Sequence, residues 1–343
     1  MTSTPSRRRA ARLGLAVLAG AGCLGAVAAP AQAAAGFDFS TRVAGETRVD
    51  TAVAASEALY PDGVPATDVV LVNRDALVDG LTASYVAGLK NAPILYTDVD
   101  SVPAATEREM DRLGAENVWI IGGTAMVSQH QEDALEADRS VIRFWGEDRY
   151  ATAAAVARAG EFAPEEVYIA SGTAYADALA AGPVAYARTY PILLTRVDGV
   201  PGATAKALED LGTQTRTVLG GTAVVSESTY AALKGTARLG GANRQETAAL
   251  VADDAIADEH FTRSNAALVS AGDVPADALV AAPAAGATGT PLLFIESKDE
   301  LGAATSGYLM KHAADLTGRS WVFGGTAVVP QKVVEQAKAA AQG

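Results

Sequence analysis

Apolar and polar positions along this chain follow two periods in turn, one near 3.6 residues and one a continuous apolar run of strand length. In the middle of the sequence RYATAAAVARAG, from Arg149, carries helix formers, and EVYIAS, from Glu166, is a short β-rich apolar run. ADALAAGPVAYAR, from Ala176, returns to a helical period that Gly182 and Pro183 interrupt. YPILLT from Tyr190 then reads as a strand, PGATAKALEDLG from Pro201 as a helix stopped by Gly212, and RTVLGG from Arg216 as a strand. Apolar strands without polar alternation, separated by helices, predict a parallel sheet covered on both faces. The unit is a small Rossmann-like α/β module.

The same succession is written three times. Each copy opens with two arginines around a glycine: RVAGETRVDTA from Arg42, RFWGEDRYATA from Arg143 and RLGGANRQETA from Arg238. NRDALVDGL, SGTAYADAL and AGDVPADAL follow from Asn73, Ser171 and Ala271, then APILY, YPILL and TPLLF from Ala92, Tyr190 and Thr290. IIGGTAMVSQ, VLGGTAVVSE and VFGGTAVVPQ, from Ile120, Val218 and Val322, close each core. Four landmarks in one order at nearly constant spacing make a chance repeat very improbable. The expected division is residues 34–141, 142–236 and 237–343, three tandem modules after a leader of residues 1–33.

This threefold combination of G-x-x-R-x-x-T-A, x-D-A-L, P-I-L-L and G-G-T-A-x-V-S resembles the cell wall binding repeat 2 family of Gram-positive surface proteins. The resemblance covers almost the whole chain after the leader. It implies three Rossmann-like modules in a pseudo-threefold arrangement and non-covalent attachment to anionic secondary wall polymers, usually beside an effector domain. Here a short lead-in, Ala34 to Thr41, precedes the copies and the sequence ends at Gly343, so a module acting without an effector is expected. The threefold arrangement can be completed inside one chain, which is compatible with a monomer.

Composition adds limits. About half of the 343 residues are apolar and a fifth charged, the balance of an ordered globular protein. Arg7, Arg8, Arg9 and Arg12 precede an apolar run from Leu13 to Ala29, and APAQA ends at Ala33, the pattern of a secretory signal. The run from Ser6 to Arg12 faintly resembles a twin-arginine signal but lacks the bulky apolar residues that follow one, and Gly20 stands where a lipid-attachment motif at Cys23 wants Leu. Removing residues 1–33 takes away four arginines, no acids and the only cysteine, leaving 23 basic against 40 acidic residues and a net charge of −17. Such a chain has no disulfides and must be held by its apolar core. An acidic surface also argues against nucleic acid and anionic lipid as partners, and no later apolar run is long enough to span a membrane.

Several repeated positions invite a chemical reading. The GGTA phrases sit between a strand and a helix, where anions are attracted, yet none forms a dinucleotide fingerprint or a P-loop, so a structural turn is expected. Ser128 and Ser226 then cap the next helix, and Pro330 fits its first turn. Asp79, Asp177 and Asp277 recur near the start of the second helix, beyond a strand's carboxyl end, where open α/β sheets bind ligands; stabilisation of the helix start is the structural alternative. Arg48, Arg149 and Arg244 open the preceding helix, an unfavourable place for a cation without a partner, so pairing with acids, the recurring aspartates among them, is expected within or between modules. By resemblance alone, residues bordering Pro93, Pro191 and Pro291 belong to the polymer site. The copies are not identical: Leu194 is matched by Tyr96 and Phe294, and Glu147 and Asp148 by Ala242 and Asn243.

Catalysis finds little support, because His130, His260 and His312 occupy unrelated repeat positions and no zinc motif or nucleophile elbow surrounds them. The expectation is a non-catalytic, secreted, wall-associated protein needing no cofactor, in which arginine grooves or bridging Mg²⁺ or Ca²⁺ overcome the repulsion of a polyanion. Capture of a soluble small ligand at the strand ends is the alternative, and an envelope hydrolase a weaker one.

Overall fold

The computed structural model describes residues 37–343 except 258–259, 271 and 273–275. The first copy runs β1 (Thr41–Val43), α1 (Arg48–Leu59), β2 (Asp68–Asn73), α2 (Leu77–Gly80), α3 (Ala83–Lys90), β3 (Ile94–Thr97), α4 (Ala104–Leu113), β4 (Asn117–Ile121) and α5 (Gln129–Leu135). In the second come β5 (Ser140–Phe144), α6 (Arg149–Ala157), β6 (Glu166–Ser171), α7 (Tyr175–Ala180), α8 (Gly182–Arg188), β7 (Ile192–Thr195), α9 (Gly202–Leu211), β8 (Thr215–Leu219) and α10 (Glu227–Leu233). The third has β9 (Ala237–Leu239), α11 (Arg244–Ala257), β10 (Ala266–Ser270), α12 (Ala276–Ala287), β11 (Leu292–Ile295), α13 (Ala303–Lys311), β12 (Ser320–Phe323) and α14 (Gln331–Ala341). The helix expected to break at Gly182 does so between α7 and α8, and Gly212 ends α9 in the left-handed region at φ 65°.

Three four-stranded parallel sheets result, ordered β3-β2-β4-β5, β7-β6-β8-β9 and β1-β12-β10-β11. The central strands are sealed on both faces: Val69 to Val72 of β2 and Ala266 to Val269 of β10 are fully buried, which is why they read as unbroken apolar runs. Helices α3, α8 and α12 pack on one another about the pseudo-threefold axis. Small residues permit that approach. A Cβ on Gly88 would collide with the Tyr186 carbonyl, and one on Gly286 would lie 2.5 Å from the Pro183 carbonyl. Two hydroxyls tie the modules across the axis, Tyr96 donating to the Ala276 carbonyl at 2.7 Å and Tyr186 to Asn91 Oδ1 at 2.9 Å.

The sheets do not coincide with the written repeats. β5 carries Arg143, the first residue of the second copy's motif, yet it pairs with β4 and completes the first sheet; β9 likewise completes the second. The 141/142 division expected from the repeats therefore falls inside β5. After each of these strands the chain crosses over, so that α6 packs on β7 and α11 on β11. The first strand closes the circle: β1 pairs with β12, Arg42 opposite Val322, while α1 packs on α12 and β3. Every module thus owes one strand to its neighbour, and the first and last described strands are joined in one sheet. Among the described residues no helix is long and apolar enough to cross a membrane; the leader, with Cys23, lies outside them.

Candidate functional site

The crossovers bring the repeated motifs together at the three module junctions, on the carboxyl edge of the sheets. The opening arginine of each copy reaches back to the GGTA turn of the sheet it completes. Arg143 Nη1 donates to the Gly122 carbonyl at 2.8 Å, Arg238 Nη1 to Gly220 at 3.0 Å and Arg42 Nη1 to Gly324 at 2.6 Å. The motif glycine that follows is held by the threonine of T-A: Gly45, Gly146 and Gly241 each donate an amide hydrogen to Thr51, Thr152 and Thr247 Oγ1 at 3.1 Å. Each helix behind is N-capped by a side chain, from Thr47, Asp148 and Asn243 to the amides of Asp50, Ala151 and Glu246.

The GGTA phrases are turns, as their sequence predicts. Their first glycines stand at φ 121°, 94° and 102°, where a side chain is strained. Ser128 and Ser226 accept from Gln131 and Thr229 and cap α5 and α10. Pro330 instead occupies the cap position itself, not the first turn; its φ of −64° suits that extended residue equally well.

Asp79, Asp177 and Asp277 lie over these turns. A Cβ on Gly220 or Gly324 would come 2.6 Å or 2.5 Å from the Oδ2 of Asp177 or Asp277. Asp79 and Asp177 do not cap their helices, whose cap residues Ala76 and Ala174 make no side-chain bond. Burial pushes all three carboxyls up, and groups of the next module draw them back: Arg149 for Asp79, Thr247 and Arg244 for Asp177, Thr51 and Arg48 for Asp277. Asp148 adds repulsion at Asp79.

The expected arginine-aspartate pairs therefore exist as attraction across each junction, while the hydrogen bonds described for Arg48 and Arg149 go to other groups. Arg48 Nη1 bonds the Arg74 carbonyl at 2.7 Å and Asp75 Oδ1 at 3.2 Å, and Arg149 Nη1 bonds the Gly172 carbonyl at 2.6 Å. Carbonyls exposed by the loop after β2 or β6 meet the guanidinium first. A carboxyl raised on folding contributes stability that is fully present below the ordinary carboxylate range, about 4, and is lost as pH rises through the raised value. Asp177→Asn should flatten the pH dependence of the melting temperature above the ordinary carboxylate range, about 4. Unfolding curves at closely spaced pH values check this, and identical profiles for the two proteins would refute it.

Pro93, Pro191 and Pro291 are placed elsewhere. All three are buried immediately before β3, β7 and β11, where their carbonyls accept from Val70, Tyr168 and Ala267 at 3.0, 3.0 and 2.9 Å. Four strand residues, roughly 13 Å, separate them from the junction edge. The arginines and aspartates lie together at the junction edge, and the prolines at the opposite end of the strands. At the second junction that edge opens into a cleft of about 450 Å³, lined by Tyr175, Asp177, Ala242, Asn243, Arg244 and Gly272 among others. In the sequence, Thr51, Thr152 and Thr247 and the opening arginines stand out only as landmarks of the repeat, not as parts of a site. No cluster of His, Cys, Asp and Glu able to hold a metal ion occurs among the described residues.

Fold and junctions together define a cyclic three-module repeat protein. The chain belongs to the cell wall binding domain 2 family, whose signature matches residues 42–132, 143–230 and 238–334. It is 36% identical over 209 residues to the N-acetylmuramoyl-L-alanine amidase LytC of Bacillus subtilis, covering 61% of this chain and 41% of LytC. To the amidase enhancer of the same organism it is 32% identical over 269 residues, 77% of this chain and 36% of that protein. The chain thus spans well under half of these relatives, and amidase activity is not conveyed by the match. Among solved structures, Cwp6 and Cwp8 from Clostridium difficile superpose with TM-scores of 0.76 and 0.77 at 28% and 26% identity. Each match covers 88% of this chain and 48% or 51% of the other.

Proposed function

We propose that this protein is exported and attaches without catalysis to an anionic secondary polymer of the cell wall, gripping it at the module junctions. The observation that supports this most is the convergence of the arginine, x-D-A-L and GGTA motifs on one junction geometry, with Arg48, Arg149 or Arg244 at its rim and Asp79, Asp177 or Asp277 beneath. Three linked sites gain affinity through effective concentration even when each is weak. The net charge of −17 calculated for residues 34–343 opposes a polyanion, so local guanidinium contacts or bridging Mg²⁺ or Ca²⁺ must outweigh it.

The test is sedimentation of residues 34–343 with purified walls before and after acid extraction of the secondary polymers, with salt and EDTA varied. Binding should disappear with the polymer. Loss on adding salt identifies direct arginine contacts, and loss on adding EDTA identifies cation bridges. Equal sedimentation with and without walls overturns the reading. The cleft of about 450 Å³ would then favour a soluble small ligand, detected as a saturable rise in melting temperature.

A further inference from the structure

The three junctions share a framework but not a surface. The residue before the motif glycine is Ala44 in the first copy, Gly240 in the third and Trp145 in the second. The fold does not need an aromatic there. Trp145 keeps 58% of its surface exposed, its ring standing beside Gly123 of the first module's GGTA turn, where a Cβ would lie 3.9 Å from it. A large apolar ring left on an acidic surface beside a junction forgoes burial that a smaller residue would not need.

The carboxyl ends of β6 and β7 are rebuilt in the same copy. In the first module Arg74 and Asp98 neutralise each other at 2.6 Å. Gly172 and Arg196 stand at these two positions in the second, so the internal pair is gone and a cation is left at the edge. The third copy has Glu296 there. Tyr150 fills the space that a side chain at position 172 would take, a Cβ there lying 2.7 Å from its ring. The Arg196 guanidinium rests over that ring at 5.2 Å and makes no ion pair among the described residues. Gly172 joins the parts, donating to the Thr195 carbonyl at 2.9 Å while its own carbonyl receives Arg149.

We propose that the junction of the first and second modules is the subsite that selects an anionic saccharide. The Trp145 indole takes the apolar face of a sugar ring, and Arg196, supported by Tyr150, pairs with a charged substituent of the same polymer. This rests on the wall-polymer reading above and adds which junction discriminates and with what chemistry. Stacking and charge act through different residues, so their contributions are separable.

The test uses residues 34–343 and acid-extracted wall polysaccharide as titrant. Trp145→Ala and Arg196→Asp should each weaken binding roughly tenfold, as exposed tryptophan and arginine anchors do, with melting temperatures unchanged because neither side chain is in the core. Trp145→Phe should restore most of the loss. Arg196→Asp should also reduce the salt dependence of binding, while Trp145→Ala should not. Polymer should protect the fluorescence of the parent from acrylamide, since Trp119 is half-buried under Lys90 and Trp321 is 3% exposed, leaving Trp145 as the accessible emitter. Parent-like affinity in both variants overturns this inference and leaves wall binding standing. A parent that binds no polysaccharide overturns both.

Discussion

A chain begun at Gly45, lacking Phe37–Ala44, should lose most of its stability, although the eight residues removed include none of the arginines or aspartates proposed to grip the polymer. They carry three buried apolar side chains, Phe37, Phe39 and Val43, at 6%, 3% and 6% exposure. At about 1.5–3 kcal/mol each, their burial contributes roughly 5–9 kcal/mol as an upper estimate. That is comparable with the whole stability of an ordinary domain, about 5–15 kcal/mol. The strand contributes more than area. Removing it takes the β1 pairing from β12, the Arg42 bond to the Gly324 carbonyl and the bond from the Gly324 amide to Val43. β12 then becomes an open edge next to buried Trp321 and Phe323, a template for aggregation. The expected result is a fall in melting temperature of more than about 10 °C, with early proteolysis in the third module. A truncated chain melting within about 2 °C of one beginning at Phe37 would show that the ring is not closed by β1.

That closure was only half legible in the sequence. The strands β2, β6 and β10 announced themselves because burial on both faces leaves no polar alternation, and the GGTA turns and their capping serines followed from local chemistry. The opening segments read as the start of each module because motif order is all that a sequence displays. Yet Arg143 and Arg238 lie on strands three to five residues long whose pairing partners precede them, and Arg42 pairs almost three hundred residues away. Nothing local distinguishes a strand that completes the previous sheet from one that begins the next. The site was legible in the same uneven way. Recurrence identified Asp177 and Arg244, whereas their actual neighbours, Thr247 and the Gly220 turn, depend on a crossover between modules. The prolines of P-I-L-L recur just as regularly for a different reason: they begin core strands at the far end of the sheet.

The paired glycines of GGTA should respond very differently to alanine. At Gly324 the backbone stands at φ 102°, and a Cβ would meet Asp277 Oδ2 at 2.5 Å and Val328 at 2.8 Å. Left-handed strain costs about 1–2 kcal/mol, and forcing a methyl into occupied space about 1–3 kcal/mol more. The expected loss for Gly324→Ala is therefore about 2–5 kcal/mol. Gly220→Ala should match it, since Asp177 Oδ2 lies 2.6 Å from the added atom. Gly122→Ala should be milder, with Asp79 Oδ2 at 3.4 Å, because only the backbone strain at φ 121° is severe there. Gly325 has no atom within 4 Å of a built Cβ and does not occupy a positive φ. Gly325→Ala should change stability by no more than about 0.5 kcal/mol. Denaturant unfolding of the four variants checks the ranking. The physical content of the motif lies in the contrast: the first glycine admits the buried aspartate to the turn, so its replacement acts on the junction through that carboxylate. Equal losses at Gly324 and Gly325 would instead make the whole phrase a turn requirement, with the aspartate a bystander.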